Sequence, residues 1–150
     1  MRPVWLLLVS SLLATGCRDS PMEVVGRASE AASTGDLVDV QTCFSVASVQ
    51  RVERAWALGN VRKSDGWQTL SRKLTFEGAP LEVKSERIAG DYAQVLADAG
   101  ALGRDYYLRK EDGRWRIELG GGLRYRKALA VADKGSKSAP KVDGGAPAPP

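Results

Sequence analysis

Histidine is absent from this chain, and cysteine occurs only twice. The first absence removes imidazole acid/base chemistry and histidine ligation of a metal. The second leaves too few thiols for a zinc cluster. No Gly-x-Ser-x-Gly, phosphate-binding loop or dinucleotide fingerprint occurs, so no motif implies a cofactor. Gly120-Gly121-Gly122 follows a strand pattern without a capped helix after it, and reads as a flexible exit rather than a phosphate cradle. A one-signed charge run is also missing. The net charge is +4, from 22 basic and 18 acidic residues that are interspersed. That pattern excludes a nucleic-acid partner and describes a mixed, solvated surface; anionic headgroups, cell-wall polymers or an acidic protein suit it better.

The N-terminus carries the most specific signal. Arg2 precedes an apolar stretch from Val4 to Leu13, broken only by Ser10 and Ser11. The stretch is shorter than the roughly 20 residues that span a bilayer, and reads as the apolar core of a signal peptide. Ala14-Thr15-Gly16-Cys17 follows. Those four residues resemble the lipobox of bacterial lipoproteins, although Ala14 stands where leucine is commoner. The resemblance implies removal of residues 1–16 and two or three acyl chains, palmitate among them, on Cys17. Two chains hold a protein to a membrane firmly where one does so marginally. Arg18 stands where aspartate would retain such a protein at the inner membrane, so the implied location is the cell envelope, lipid-anchored at the outer membrane and facing the periplasm. With Cys17 lipidated, Cys43 has no partner for a disulfide, and beside Phe44 it reads as a small buried hydrophobe.

After a lipidated start at 17–19, residues 20–127 suit one domain, and residues 128–150 are expected to be a disordered tail rich in lysine, alanine, proline and glycine. Helices come first. Ser20-Pro21-Met22-Glu23 combines a capping box with proline at the first helical position, and Gly35 ends that helix. Asp36 caps a short second helix. A third begins near Ser45 or Ser48 and ends at Gly59-Asn60, and further helical turns are expected near Trp67, Leu70 and Leu74. Period-two alternation then takes over. Leu81, Val83 and Ser85 mark one strand, Tyr92 to Asp98 a second, and Tyr106 and Leu108 a third. Asp112-Gly113 turns the chain into a fourth strand, where Trp115, Ile117 and Leu119 alternate with Arg114, Arg116 and Glu118. The expected fold is α+β: N-terminal helices on one face of a curved antiparallel sheet of about four strands, the other face polar.

Helix, Gly35-Asp36, short helix, third helix and curved sheet, closed by Tyr107 to Ile117 around Asp112-Gly113, resembles the nuclear-transport-factor-2-like (cystatin-like, SnoaL-like) cone. The resemblance implies a pocket inside the cone. It also implies, as an alternative function, a lyase or isomerase of the ketosteroid-isomerase type, whose catalytic carboxylate no residue here matches by motif. Phe44, Trp56, Trp67, Tyr92, Tyr106 and Trp115 are the candidates for lining the pocket or an interface; each also suits a plain core role, the commoner use of aromatics. Arg109, Arg114 and Arg116 are expected on the outer hairpin face with Glu118 and Asp105 as partners. The favoured reading is a non-enzymatic envelope lipoprotein, anchored through lipid on Cys17, binding a small apolar ligand or an envelope protein, with a homodimer through the sheet face as a further expectation.

Overall fold

The computed structural model describes residues 19–100 and 102–137. The signal segment, Cys17 and residues 138–150 of the expected tail lie outside the described residues. Helix α1 spans Pro21–Thr34. Its capping box is formed: the Ser20 hydroxyl accepts from the Glu23 amide at 3.2 Å, and the Glu23 carboxylate accepts from the Ser20 amide at 2.6 Å. Two otherwise orphaned donors are thereby satisfied. Gly35 closes the helix at φ 79, a left-handed conformation open to a residue without Cβ. Asp36 caps α2 (Leu37–Thr42), accepting from the Asp39 amide, and Ser45 caps α3 (Val46–Leu58). Helix α4 (Lys63–Ser71) continues into a 3-10 turn, Arg72–Leu74. The first three helices stand where their local signals place them, whereas α4 begins at Lys63, four residues before the expected turns, with no side-chain cap.

A two-stranded ribbon, β1 (Thr75–Phe76) with β2 (Ala79–Pro80), follows and was not anticipated. Its strands are only two residues long, too short to show a period. Ser29 of α1 anchors it: the buried hydroxyl donates to the Leu74 carbonyl and accepts from the Leu81 amide, both at 2.6 Å. The main sheet comprises β3 (Glu82–Ala89), β4 (Tyr92–Ala99), β5 (Leu102–Glu111) and β6 (Arg114–Ile117), antiparallel in that order. The fold is α+β, with helices preceding a four-stranded antiparallel sheet. Asp112 and Gly113 turn β5 into β6 with φ 49 and 76, the mirror-image turn that matches strand twist.

The inward alternation is clean on β4 and β6, whereas on β5 it buries Leu108 alone, with Tyr106 half-buried. Ala93 and Val95, then Leu108, then Trp115 and Ile117, are buried against Val24, Val25 and Ala28 of α1, Val40 of α2, and Trp67 and Leu74, while Ala97 is buried in a smaller cluster with Leu81 and Ala99. On β3 the expected alternation breaks. A bulge between Val83 and Ser85 shifts the register, so Ser85 stands opposite Leu96 and Glu86 opposite Val95. Glu86 then accepts from the Met22 amide at 2.9 Å, which places a carboxylate at the N-terminus of α1 where the helix dipole favours it. From Met22 beside Glu86, α1 runs past Val83 to Ser29 beside Leu81, antiparallel to β3. Its start therefore lies toward the end of the sheet that carries the Gly90-Asp91 and Asp112-Gly113 turns.

The C-terminal segment corrects two expectations. Gly120-Gly121-Gly122 is not a flexible exit, because helix α5 spans Gly122–Lys137 and so takes up the first ten residues of the segment read as a tail, 128–137. It also corrects the open polar face. Helix α5 contacts β3 and β4, and its Tyr125, 3% exposed, packs its ring 5.8 Å from that of Tyr107 on the outer face of β5. A homodimer through this face would have to include or displace α5. The glycine run explains the close approach: a Cβ on Gly121 or Gly122 would stand 3.0 Å from Tyr107.

Candidate functional site

Strand β5 is ten residues long and β6 only four, and this mismatch opens one corner of the sheet. Strand β6 pairs with Leu108 to Glu111 alone. The Tyr107 carbonyl still accepts from the Glu118 amide at 2.7 Å, but the next residue on that side, Asp105, has no strand beside it. On the far edge of β6 the chain segment around Phe44 extends the sheet by one bridge. Phe44 bridges to Ile117 in parallel, the Ser45 amide donating to the Ile117 carbonyl at 2.9 Å and the Ile117 amide to the Cys43 carbonyl at 2.8 Å. Past Ile117 the edge is held by Ser48, whose buried hydroxyl accepts from the Leu119 amide at 2.9 Å.

Between this corner and the end of α4 lies a cavity of about 410 Å³. Phe44, Leu70, Leu74, Ile117 and Leu119 supply apolar wall, with Tyr106 completing it. The volume falls in the range of small-molecule sites, about 300–1,000 Å³. The Tyr106 hydroxyl donates to the Lys73 carbonyl at 2.9 Å, and Arg104 donates to the same carbonyl at 2.6 Å. Burial pushes the Tyr106 hydroxyl above its ordinary pKa, and the adjacent Arg104 opposes that rise in part. The phenol therefore stays protonated and acts as a fixed donor.

Of the six aromatic candidates, the cavity collects Phe44 and Tyr106 only. Trp67, 2% exposed, is a core residue wedged edge-on between Phe44 and Trp56 at centroid distances of 5.7 and 5.3 Å. Trp56 lies against Gly66, where a Cβ would come within 2.4 Å of its ring. Trp115 is buried at the turn end, with the Lys110 ammonium 5.2 Å from its ring centroid. Tyr92 stands opposite Arg109 on the outer face, away from the cavity. Sequence reasoning missed Leu70, Leu74, Ile117 and Leu119 as walls, although their helical and alternating spacing marked them as core-facing. It missed Lys73 and Arg104 altogether, since single cations among many carry no pattern.

The expected arginine face is also redistributed. Arg109 pairs with Glu111, Arg116 donates to the Thr42 carbonyl, and Asp105 is exposed. Glu118 is buried, not surface-facing: its side chain is 3% exposed and one carboxylate oxygen is paired with Arg124 of α5. The other oxygen, Oε2, is shielded and has no hydrogen-bond partner. Glu118 borders the cavity, yet its free oxygen is closed off from it. Cys43 is fully buried and free, as its apolar setting implied. Among the described residues no cluster of three or more acidic, cysteine or histidine side chains suits a metal, and no helix is long and apolar enough to cross a membrane. No family model, curated protein or solved structure matches the chain.

Proposed function

We propose that this chain is an envelope lipoprotein, held by lipid on Cys17, whose nuclear-transport-factor-2-like domain binds a small, largely apolar ligand without transforming it. The observation that carries the binding reading is the apolar cavity at the open corner of β5. Its walls offer surface whose transfer from water is favourable, at about 25 cal/mol per Å². The helices-first order and bulged four-stranded sheet support the cone-like assignment.

One observation favours the lyase or isomerase reading: Glu118 is a buried carboxylate beside the cavity with an unpartnered oxygen. A general base must reach the proton it takes. Shielding of Oε2 and the pairing with Arg124 leave it without that reach, so binding is the better account. Two measurements test the proposal. Intact-mass analysis of detergent-extracted protein should find a lipid adduct on Cys17, and Cys17→Ser should accumulate the unprocessed precursor; an unmodified N-terminus elsewhere refutes the anchor. A neutral fluorophore that brightens in apolar surroundings should bind the wild type and lose affinity in Leu119→Trp, which fills the cavity. Equal binding by a folded Leu119→Trp protein refutes the cavity as the site.

A further inference from the structure

The charges at the cavity's rim are unequal in availability. Lys73 and Arg104 line it from its solvent side, and both are exposed. Among the described residues neither makes an ion pair. Arg104 is held in place by its bond to the Lys73 carbonyl, which leaves the rest of its planar fork of donors open. Arg51 stands outside the lining, where it donates to the Leu119 carbonyl at 2.9 Å. The two acids that border the cavity offset Lys73 and Arg104 only in part. Glu118 is committed to Arg124 and shielded, so the exposed Asp105 alone stands against the two cations.

An apolar chamber with unpaired cations at its mouth selects for one kind of molecule. We infer that the cavity takes a monomeric anionic amphiphile, its apolar body against Phe44, Leu74 and Ile117 and its carboxylate or phosphate head between Lys73 and Arg104. A neutral apolar ligand would use the walls and leave the cations idle. A cationic one would meet repulsion at the rim. Arginine's fork suits either head group through paired donors, with the ammonium of Lys73 as a point charge beside it. This inference rests on the binding function proposed above.

The test uses the mature chain, residues 17–150 with Cys17→Ser so that detergent is not needed, and four probes below their micelle concentrations: dodecanoate, dodecyl phosphate, dodecan-1-ol and dodecylamine. Titration calorimetry should show dodecanoate or dodecyl phosphate binding about tenfold more tightly than dodecan-1-ol, the effect of one charge-assisted hydrogen bond, and dodecylamine more weakly than either. The preference should shrink in high salt, because exposed charges are screened. In the double variant Lys73→Ala, Arg104→Ala the preference for the anions over dodecan-1-ol should fall to near unity, and a preference that persists overturns the assignment. A cooperative thermal unfolding transition of the variant without ligand shows that it is folded, and Tyr106 still satisfies the carbonyl of residue 73. Equal affinity for alcohol and anion, or tighter binding of the amine, overturns the anionic class while the cavity reading stands. Binding of none of the four overturns both.

Discussion

On the inner face of the sheet, Ala93, Val95, Leu108, Trp115 and Ile117 meet apolar side chains from four helices; on the outer face, Tyr107 and Glu118 meet α5. The inner contact draws on burial of apolar surface, which is non-directional and tolerates an unfilled corner. The outer contact depends on pairs that must align: Arg124 with Glu118, and Tyr125 against Tyr107. It is also incompletely satisfied, since Glu118 Oε2 and the Tyr125 hydroxyl are buried without partners. Each such group forfeits hydration that nothing in the protein replaces. The inner layer therefore holds the fold, and α5 is a cover added to it at lower net gain.

The sharpest way to break this comparison is to cut the inner layer. Trp67→Ala should destabilise by about 3–5 kcal/mol, the range for a buried large aromatic, because Phe44 and Trp56 both lose their contact. Denaturant unfolding with an unchanged slope measures it; a cost near that of a surface change would deny Trp67 its core role. Next in size is Glu118→Gln. Breaking a fully buried pair costs more, but Arg124 is 49% exposed and keeps its hydration, so about 1–2 kcal/mol is expected. A loss as large as that of Trp67→Ala would make the two faces equal partners in stability.

A pH titration separates a third contact, on the helical layer. Lys63 first, and the Trp67 indole N–H second, hold the Glu53 carboxylate below its ordinary value of 4.5. A depressed carboxylate contributes stability that is complete above that value and lost as pH falls through the lower folded value. Stability of the wild type should decline on that acid limb more than that of Glu53→Gln, read as the difference between their unfolding midpoints from pH 6 down to 3. Identical slopes would mean Glu53 gains nothing on folding. The smallest effect is expected at Tyr125→Phe. Removing a buried hydroxyl that lacks a partner should leave stability unchanged or raise it by up to about 1 kcal/mol. A clear loss in thermal unfolding would reveal a hydrogen bond at that hydroxyl and a better-knit outer face.

What could be read ahead of the structure was governed by neighbours in the chain. The Ser20–Glu23 box, the Gly35 stop, and the Asp36 and Ser45 caps act over three or four residues, within one turn of helix. The Asp112-Gly113 turn acts over two, and its mirror-image geometry sets the pairing of Lys110 with Trp115. Hence the α+β order and the inward positions of Leu108, Trp115 and Ile117 were legible from residue types alone. The bulge at Val83–Ser85 was not, because it is defined by the partner strand. Neither was the role of Gly120-Gly121-Gly122, which depends on Tyr107 lying across from it.

The candidate site belongs almost wholly to this second class. Phe44 and Tyr106 are 62 residues apart in the chain, and Lys73 and Arg104 are 31 apart, yet all four border one cavity. Their meeting follows from β6 ending at Ile117 while β5 continues, a difference in strand length that no single segment encodes. Glu118 shows the same division. Alternation along β6 assigned it to the outer face correctly, but only the return of α5 decided that this face would be buried and the carboxylate paired. Local sequence determined the elements and their caps, because hydrogen bonds and turn geometry act between near neighbours. Tertiary structure alone decided which polar groups were covered and which corner stayed open, because burial depends on segments distant in the chain.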